Sequence, residues 1–253
     1  MYFSVVAMIN TILTGEVLRS VTRAMVALVS EARFHFMTEK LHSRAVDPAN
    51  VAMVIVDVPK DSFEIYSPDE EKTVGVDVNR IFEISKSIKG DELVELKLED
   101  DTSLNIKFGS VEYSVALIDP SAIRKEPKIP NLELPAKIVM DAGEFKKAIV
   151  ASDKISDRVS FRSNENGFYI EAEGDVDRIT SFMGESDLIE FNKADAKSIF
   201  SIEYLKEFIK AASPGDTLTI FLGNNYPVRL IFDVARGRVR IEYILAPRIE
   251  EAE

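Results

Sequence analysis

Two histidines, three acidic runs and a scatter of arginine and lysine are the residues here that could do chemistry, and each type demands particular company. His35 and His42 would need further ligands or acids at set spacings to act as bases or metal ligands. Both fall in strand-like context, with no HExxH helix around them. The runs Asp69-Glu70-Glu71, Glu99-Asp100-Asp101 and Glu250-Glu251-Glu253 lie at turns or at the terminus, without the alternating oxygen spacing of a calcium loop. There is no nucleophile elbow and no glycine loop that would cradle phosphate. The chain has no cysteine, which excludes disulfides, thiolate zinc sites, iron-sulfur clusters and Cys nucleophiles. No catalytic residue, metal site or cofactor is therefore expected, and an enzyme built on an acidic metal site is the least favoured reading.

The remaining candidates are cations on amphipathic segments. Arg19 and Arg23 lie on the first, Arg80 and Lys86 on the second, Lys146, Lys147 and Lys154 on the third, Lys206 and Lys210 on the fourth. Glu83, Glu144, Glu203 and Glu207 share these segments, so an ordinary mixed-charge surface is one reading. The other is a cationic wall, which requires all four segments to face one space. Lys+Arg 31 against Asp+Glu 43 gives a formal charge of -12. That balance opposes a nucleic-acid binder unless the positive charge is gathered on one surface.

The elements that must carry these residues can be read from periodicity. Thr14 to Val29 places Val17, Leu18, Val21, Met25 and Leu28 on one helical stripe, with Thr14 as a plausible N-cap. Val76 to Ile88, Asp141 to Asp153 and Phe200 to Ala212 are read as three more helices. Strands are expected at Ala32–Phe36, Val51–Val58, Val94–Leu98, Leu104–Phe108 and Val111–Leu117, and again at Val159–Phe161, Phe168–Glu173, Val176–Met183, Leu218–Leu222, Val228–Phe232 and Arg238–Leu245. Asp47-Pro48 marks a turn.

The chain repeats itself. AGEFKKAI lies over TGEVLRSV at an offset of 128, and FSIEYLKEFIKAA over the second helix at 124, placing Lys210 over Lys86. Helix, strands, helix and strands recurring in one order point to an internal duplication. Each copy is then two helices packed on antiparallel sheet, an α+β lobe. Between the copies, the stretch LIDPSAIRKEPKIPNLELP carries four of the chain's ten prolines, so neither helix nor central strand can run through it. Ile118, Ile123, Ile129, Leu132 and Leu134 give this connector an apolar side that can lie on the body of the protein. The division read here is an N-terminal lobe 1–117, a connector 118–135 and a C-terminal lobe 136–253. The opening MYFSVVAMINTIL lacks a basic n-region, is too short to span a bilayer, and is read as a first strand preceded by a few extra residues. A soluble protein without membrane spans is expected, and the absence of cysteine fits an intracellular one.

The segments HSRAVDPANVAMV, GVDVNRIFEISKSI, ALIDPSAIRKEPKIP, GDTLTIFLGNNYPVRLIF and YILAPRIEE resemble the archaeal and eukaryotic sliding clamp family, proliferating cell nuclear antigen, and its archaeal members most closely. The likeness runs from about Met8 to the C-terminus, leaving Met1 to Ala7 as an extension or a mis-called start. The ending Leu245-Ala246-Pro247-Arg248-Ile249-Glu250 and the turn Val46-Asp47-Pro48 are its most specific signals.

The resemblance implies a DNA clamp fold assembling as a homotrimeric ring, helices lining the hole and sheets forming the outer wall. The strand at Val111, Tyr113 and Val115 would meet the strand at Val176, Arg178 and Thr180 of the next subunit. Arg19, Arg23, Arg80, Lys86, Lys147, Lys206 and Lys210 would face double-stranded DNA without regard to its sequence. Glu83 and Val150 stand where some relatives are basic. A pocket for partner peptides of the PIP-box type would be lined by Val46, Asn50, Val51, Ile129, Pro130, Pro227, Ile244, Ala246, Pro247 and Ile249. Val46 and Ile244 differ there from the larger residues of many relatives. The implied role is a DNA polymerase processivity factor, without catalysis, that tethers polymerase, flap endonuclease and ligase and is opened by the clamp loader, replication factor C. The rival readings are a clamp-like scaffold that does not slide and one subunit of a heteromeric ring.

Overall fold

The computed structural model describes residues 9–68 and 70–248. The first half runs β1 (Ile9–Thr14), α1 (Gly15–Val26), β2 (Glu31–Phe36), β3 (Lys40–Val46), β4 (Ala52–Pro59), β5 (Ile65–Pro68), β6 (Lys72–Asp77), α2 (Val78–Lys86), β7 (Leu93–Leu98), β8 (Ser103–Phe108) and β9 (Val111–Ala116). The second runs β10 (Ala136–Asp141), α3 (Ala142–Ser152), β11 (Arg158–Asn164), β12 (Gly167–Glu173), β13 (Arg178–Gly184), β14 (Glu190–Asn192), β15 (Ala196–Ser201), α4 (Ile202–Phe208), β16 (Thr217–Leu222), β17 (Val228–Val234) and β18 (Val239–Leu245). The fold is α+β, with antiparallel sheets and four α-helices among the described residues, in the repeated order the sequence implied.

The chain forms two compact units. One takes the residues up to Val46, then Ile55–Pro127 and Ala235–Ile241; the other takes Asp47–Val54, Lys128–Val234 and the residues from Glu242 onward. In the first unit one sheet has the order β5-β1-β7-β8-β9, and β4, β3, β2 and β6 run side by side in another. In the second unit the corresponding arrays are β13-β12-β11-β15 and the run β14-β10-β16-β17.

Alternation buries one face of many strands, as at Phe34 and Phe36 in β2, Leu104 and Ile106 in β8, and Val159 and Phe161 in β11. The second core is aromatic, with Phe161 5.7 Å from Phe145 and 5.2 Å from Phe200, and Phe208 stacked on Tyr243 at 3.9 Å. The two units repeat a detail that holds their first helix. Gly15 N–H bonds Glu92 O and Glu16 N–H bonds Gly90 O in one; Ala142 N–H bonds Asp216 O in the other. In each, the orphan donors at the helix start are satisfied by the turn that follows the second helix.

Three helices are shorter than their apolar stripes suggest. α1 stops at Val26, and Leu28 and Val29 both donate to Met25 O as the turn unwinds. α2 starts at Val78 because the Asp77 carboxylate accepts the Arg80 N–H and caps it there. Val76 belongs to β6, which periodicity missed along with β3, β5, β10, β14 and β15. In the same way Phe200 ends β15, and α4 passes into a 3-10 turn over Ile209–Ala211. The strand expected from Val176 begins at Arg178.

Candidate functional site

The helix cations are placed by caps and by paired packing. Thr14 caps α1 and Asp141 caps α3, accepting Val17 N–H at 3.4 Å and Gly143 N–H at 2.8 Å. α1 lies against α2 in the first unit and α3 against α4 in the second. Their apolar stripes are buried, leaving the polar sides at the surface.

The cations differ in what occupies them. Arg19 is half-buried and donates to Ser85 O at 3.2 Å and to Ile88 O, so its guanidinium caps the C-terminal end of α2, where a cation meets the negative end of the dipole. Arg23 and Lys86 lie over the Phe82 ring at 4.2 and 4.7 Å. Arg80 is exposed and makes no ion pair among the described residues.

The lysines follow one rule that residue types alone concealed: Glu83–Lys86, Glu144–Lys147 and Glu207–Lys210 are each three apart and each 2.5 Å long. Lys206 reaches Asp153, at the end of α3, at 2.9 Å. The hydrogen bond that Lys147 donates to Glu144, then the carboxylate's charge, raises the Lys147 ammonium above its ordinary value, and the bond to Asp153 does the same for Lys206. Lys147 and Lys206 stay charged at neutral pH. Exposed pairs of this kind are weakly held, because water screens them and two long side chains must be kept in place. A phosphate oxygen can therefore take a carboxylate's place at small cost. Of the other cations on these segments, Lys146 is half-buried and Lys154 lies beyond the end of α3.

A second group of residues surrounds the turn after β3. Asp47 is 4 % exposed, and its carboxylate is fully used. Oδ1 accepts Val51 and Ala52 N–H at 2.7 and 2.8 Å; Oδ2 accepts Ala49 N–H at 3.1 Å and the Tyr204 hydroxyl at 2.8 Å. Burial alone would raise its pKa, but the bonds from Ala52, Tyr204, Val51 and Ala49 hold it below its ordinary value. The turn closes through Asn50 at φ 59, in the left-handed region that Asn tolerates. Val51 O in turn accepts Ala246 N–H at 2.9 Å, so Asn50 and Val51 are tied to the segment of Ala246 and Pro247.

The other residues of the implied peptide pocket are less uniform. Ile129 and Pro130 are exposed and Pro227 is half-buried. Pro227 follows a loop pinned by Ser198, whose hydroxyl donates to Gly223 O at 2.8 Å and accepts Tyr226 N–H at 3.1 Å. Ile244 is 6 % exposed, its side chain in the core. Val46 is half-buried and counts with the first unit. Ile249 lies outside the described residues, as do Met1 to Met8, Asp69 and the run at Glu250, Glu251 and Glu253.

The two strands expected at a self-contact both lie at sheet edges, β9 in the first unit and β13 in the second. Val111 is 41 % and Val176 93 % exposed. Thr180 is exposed and Arg178 pairs with Glu173 at 2.5 Å, whereas Val115 is buried in its own core and Tyr113 stacks on Phe108.

The histidines have structural partners that the sequence did not announce. His35 and His42 sit opposite each other on β2 and β3, ring centroids 5.9 Å apart. His35 Nε2 is 2.5 Å from Glu126 of the connector, and His42 Nδ1 is 2.8 Å from Asp57. Arg44 also reaches Glu126, at 3.1 Å, and Arg33 donates to the carbonyls of Pro120, Ile123 and Arg124 at 2.9, 2.6 and 2.8 Å. These contacts fasten the connector as far as Glu126 to the first unit. Among the described residues no three His, Asp or Glu side chains are grouped to hold a metal, and no helix is long and apolar enough to cross a membrane.

Comparison with known proteins agrees with both halves of this arrangement. Residues 8–114 match the model of the proliferating cell nuclear antigen N-terminal domain, and residues 128–248 that of its C-terminal domain. The DNA polymerase sliding clamp of Archaeoglobus fulgidus is 70 % identical over 243 residues, 96 % of this chain and 99 % of that protein. The sliding clamp of Methanocella arvoryzae is 38 % identical over 96 % of this chain and 99 % of its own length. Among solved structures, the A. fulgidus PCNA with the C-terminal region of FEN-1 bound superposes with a TM-score of 0.95 at 70 % identity, covering 97 % of this chain and 100 % of that one. The Thermococcus kodakaraensis PCNA shares the fold at 24 % identity, with a TM-score of 0.88 over 95 % of this chain and 100 % of that chain. With two similar units, two helices in each and both halves matched in order, this chain belongs to the proliferating cell nuclear antigen family.

Proposed function

We infer that this protein is a DNA polymerase sliding clamp, a processivity factor that encircles duplex DNA and tethers replication and repair enzymes to it, with no catalysis of its own. One observation carries the reading. A chain of formal charge -12 keeps, on each of its four described helices, cations held by nothing stronger than exposed carboxylates, aromatic rings or carbonyls. Such a surface attracts phosphate without reading bases, which suits a protein that must move along DNA. The 70 % identity to an archaeal clamp supports the same conclusion.

In this reading the lobes are 1–117 and 136–253, joined by the connector 118–135. Three copies close head to tail, the exposed edge of β9 meeting β13 of the next copy, which removes two sheet edges that would otherwise invite aggregation. Arg23, Arg80, Lys86, Lys147, Lys206 and Lys210 face DNA, and Arg19 does so while capping α2. The turn at Asn50–Val51, Ile129–Pro130, Pro227 and Ala246–Pro247 receive an apolar anchor from the peptides of polymerase, flap endonuclease, ligase and the clamp loader. The FEN-1 segment bound to the A. fulgidus protein supports this assignment. The protein acts inside the cell, with the chromosome.

Loading onto circular and linear DNA tests the ring. The clamp should stay on a closed circle at salt that abolishes ordinary phosphate binding and leave once the circle is cut. Equal loss from both forms would refute encirclement. Replacing Arg23, Arg80, Lys147 and Lys210 by Ala should lower processive synthesis on primed circles, and unaltered synthesis would remove the channel assignment.

A further inference from the structure

The Asp47 turn is held from two directions. Ala246 N–H bonds Val51 O from the segment after β18, and the Tyr204 hydroxyl bonds Asp47 Oδ2 at 2.8 Å from α4. The other bonds to that carboxylate come from Ala49, Val51 and Ala52, within the turn itself. Those local bonds shape the turn but cannot say where it points. The two long-range bonds tie the turn to distant segments, and the one from Tyr204 ties it to a helix. Tyr204 is itself fixed, half-buried with its ring 6.3 Å from Phe208, whose own ring is fully buried and stacked on Tyr243.

We propose that Tyr204 is the positioning residue of the partner-peptide site: its hydroxyl holds the turn bearing Asn50 and Val51 against α4, in the orientation that receives an incoming apolar anchor. The proposal rests on the reading of this turn as part of the peptide site. A peptide that docks on a preset turn spends none of its binding free energy on ordering it. Removing the hydroxyl leaves the carboxylate with its local bonds and the turn with its shape, but releases the turn from α4.

The probe is a fluorescein-labelled synthetic peptide copied from the C-terminal region of the A. fulgidus FEN-1, titrated with the full chain. Tyr204→Phe keeps the ring stacking and should raise the Kd about tenfold, the loss expected of one hydrogen bond to a charged group. Native mass should be unchanged, and amide exchange should quicken at Asn50, Val51 and Ala52 but not within α4. Glu203→Gln, on the same helix but with no bond to the turn, should bind as the parent does. Pro247→Ala separates the two levels of the reading. If it weakens binding while Tyr204→Phe does not, the role of Tyr204 is refuted and the site survives. If neither weakens binding, the site reading falls and this proposal with it. Weaker binding by Tyr204→Phe accompanied by lost assembly or by faster exchange throughout α4 would also overturn the proposal, because the residue would then be merely structural.

Discussion

Asp47 shows what one side chain contributes when every lone pair is used. Replacing it by Ala strands three turn N–H groups and one hydroxyl, and should cost about 2–3 kcal/mol of stability. The pH dependence has a definite sign. Its bonds hold the folded carboxyl below the ordinary value of 3.8, so the contribution is present in full above that pH and is lost as pH falls through the lower, folded value. Urea midpoints of the parent and Asp47→Asn should therefore differ by a constant amount between pH 5 and 7 and converge toward pH 2. A gap that stayed constant down to pH 2 would show that the carboxylate is not what holds the turn. Arg19 makes the complementary point: in the proposed reading it faces DNA as Arg23 does, yet its guanidinium is committed to the carbonyls of Ser85 and Ile88, so Arg19→Ala should destabilise the first unit as well as weaken DNA contact.

At the scale of elements, close approach governs how segments fit. A Cβ on Gly75 would lie 2.3 Å from Ile118 O, where the connector leaves β9 and bridges to β6, and one on Gly15 would lie 2.3 Å from Lys89 O. Gly75→Ala and Gly15→Ala should each cost about 1–3 kcal/mol in urea unfolding, as overpacking does. Gly90→Ala should be nearly neutral, since its nearest neighbour is 3.9 Å away. An equal loss at all three would mean that close contact does not set the cost, since the lower entropy of the unfolded chain should favour Ala at each. The elements themselves were largely legible. α1 follows from a clean stripe beneath Thr14, and α3 from its match to α1 at an offset of 128. The junctions of β6 with α2 and of β15 with α4 were not, because Val74, Val76 and Val78 continue one apolar run while the period changes from two to 3.6. Asp77, the cap, was the signal that could have divided them.

For the molecule as a whole, the acid excess and the exposed edge strands bear on assembly. Light scattering should give about three times the 28.3 kDa of a single chain. Val111→Asp should reduce that to one chain without unfolding it, because Val111 is already 41 % exposed and its loss opens no cavity. A Val111→Asp protein that kept the larger mass would place the self-contact elsewhere. Because the helix lysines are shared with Glu83, Glu144 and Glu207, DNA binding before closure should be weak and steeply reduced by salt. Tight binding of short linear duplexes at 0.2 M salt would contradict that balance.

Local spacing is enough for the duplication, the four helices with their buried faces, most of the strands and the start of α1. These are local properties, set by periods of 2 and 3.6 and by residues such as Thr14, Asp77 and Asp141 that satisfy backbone donors a few positions away. Only the packed fold settles which cations are occupied, what fastens the connector and what holds the Asp47 turn. Tyr204 meets Asp47 across 157 positions, and Arg33 meets Ile123 across 90. Partners that far apart leave no trace in local spacing, since only the packing of the intervening elements brings a hydroxyl to one carboxylate or a guanidinium to one row of carbonyls.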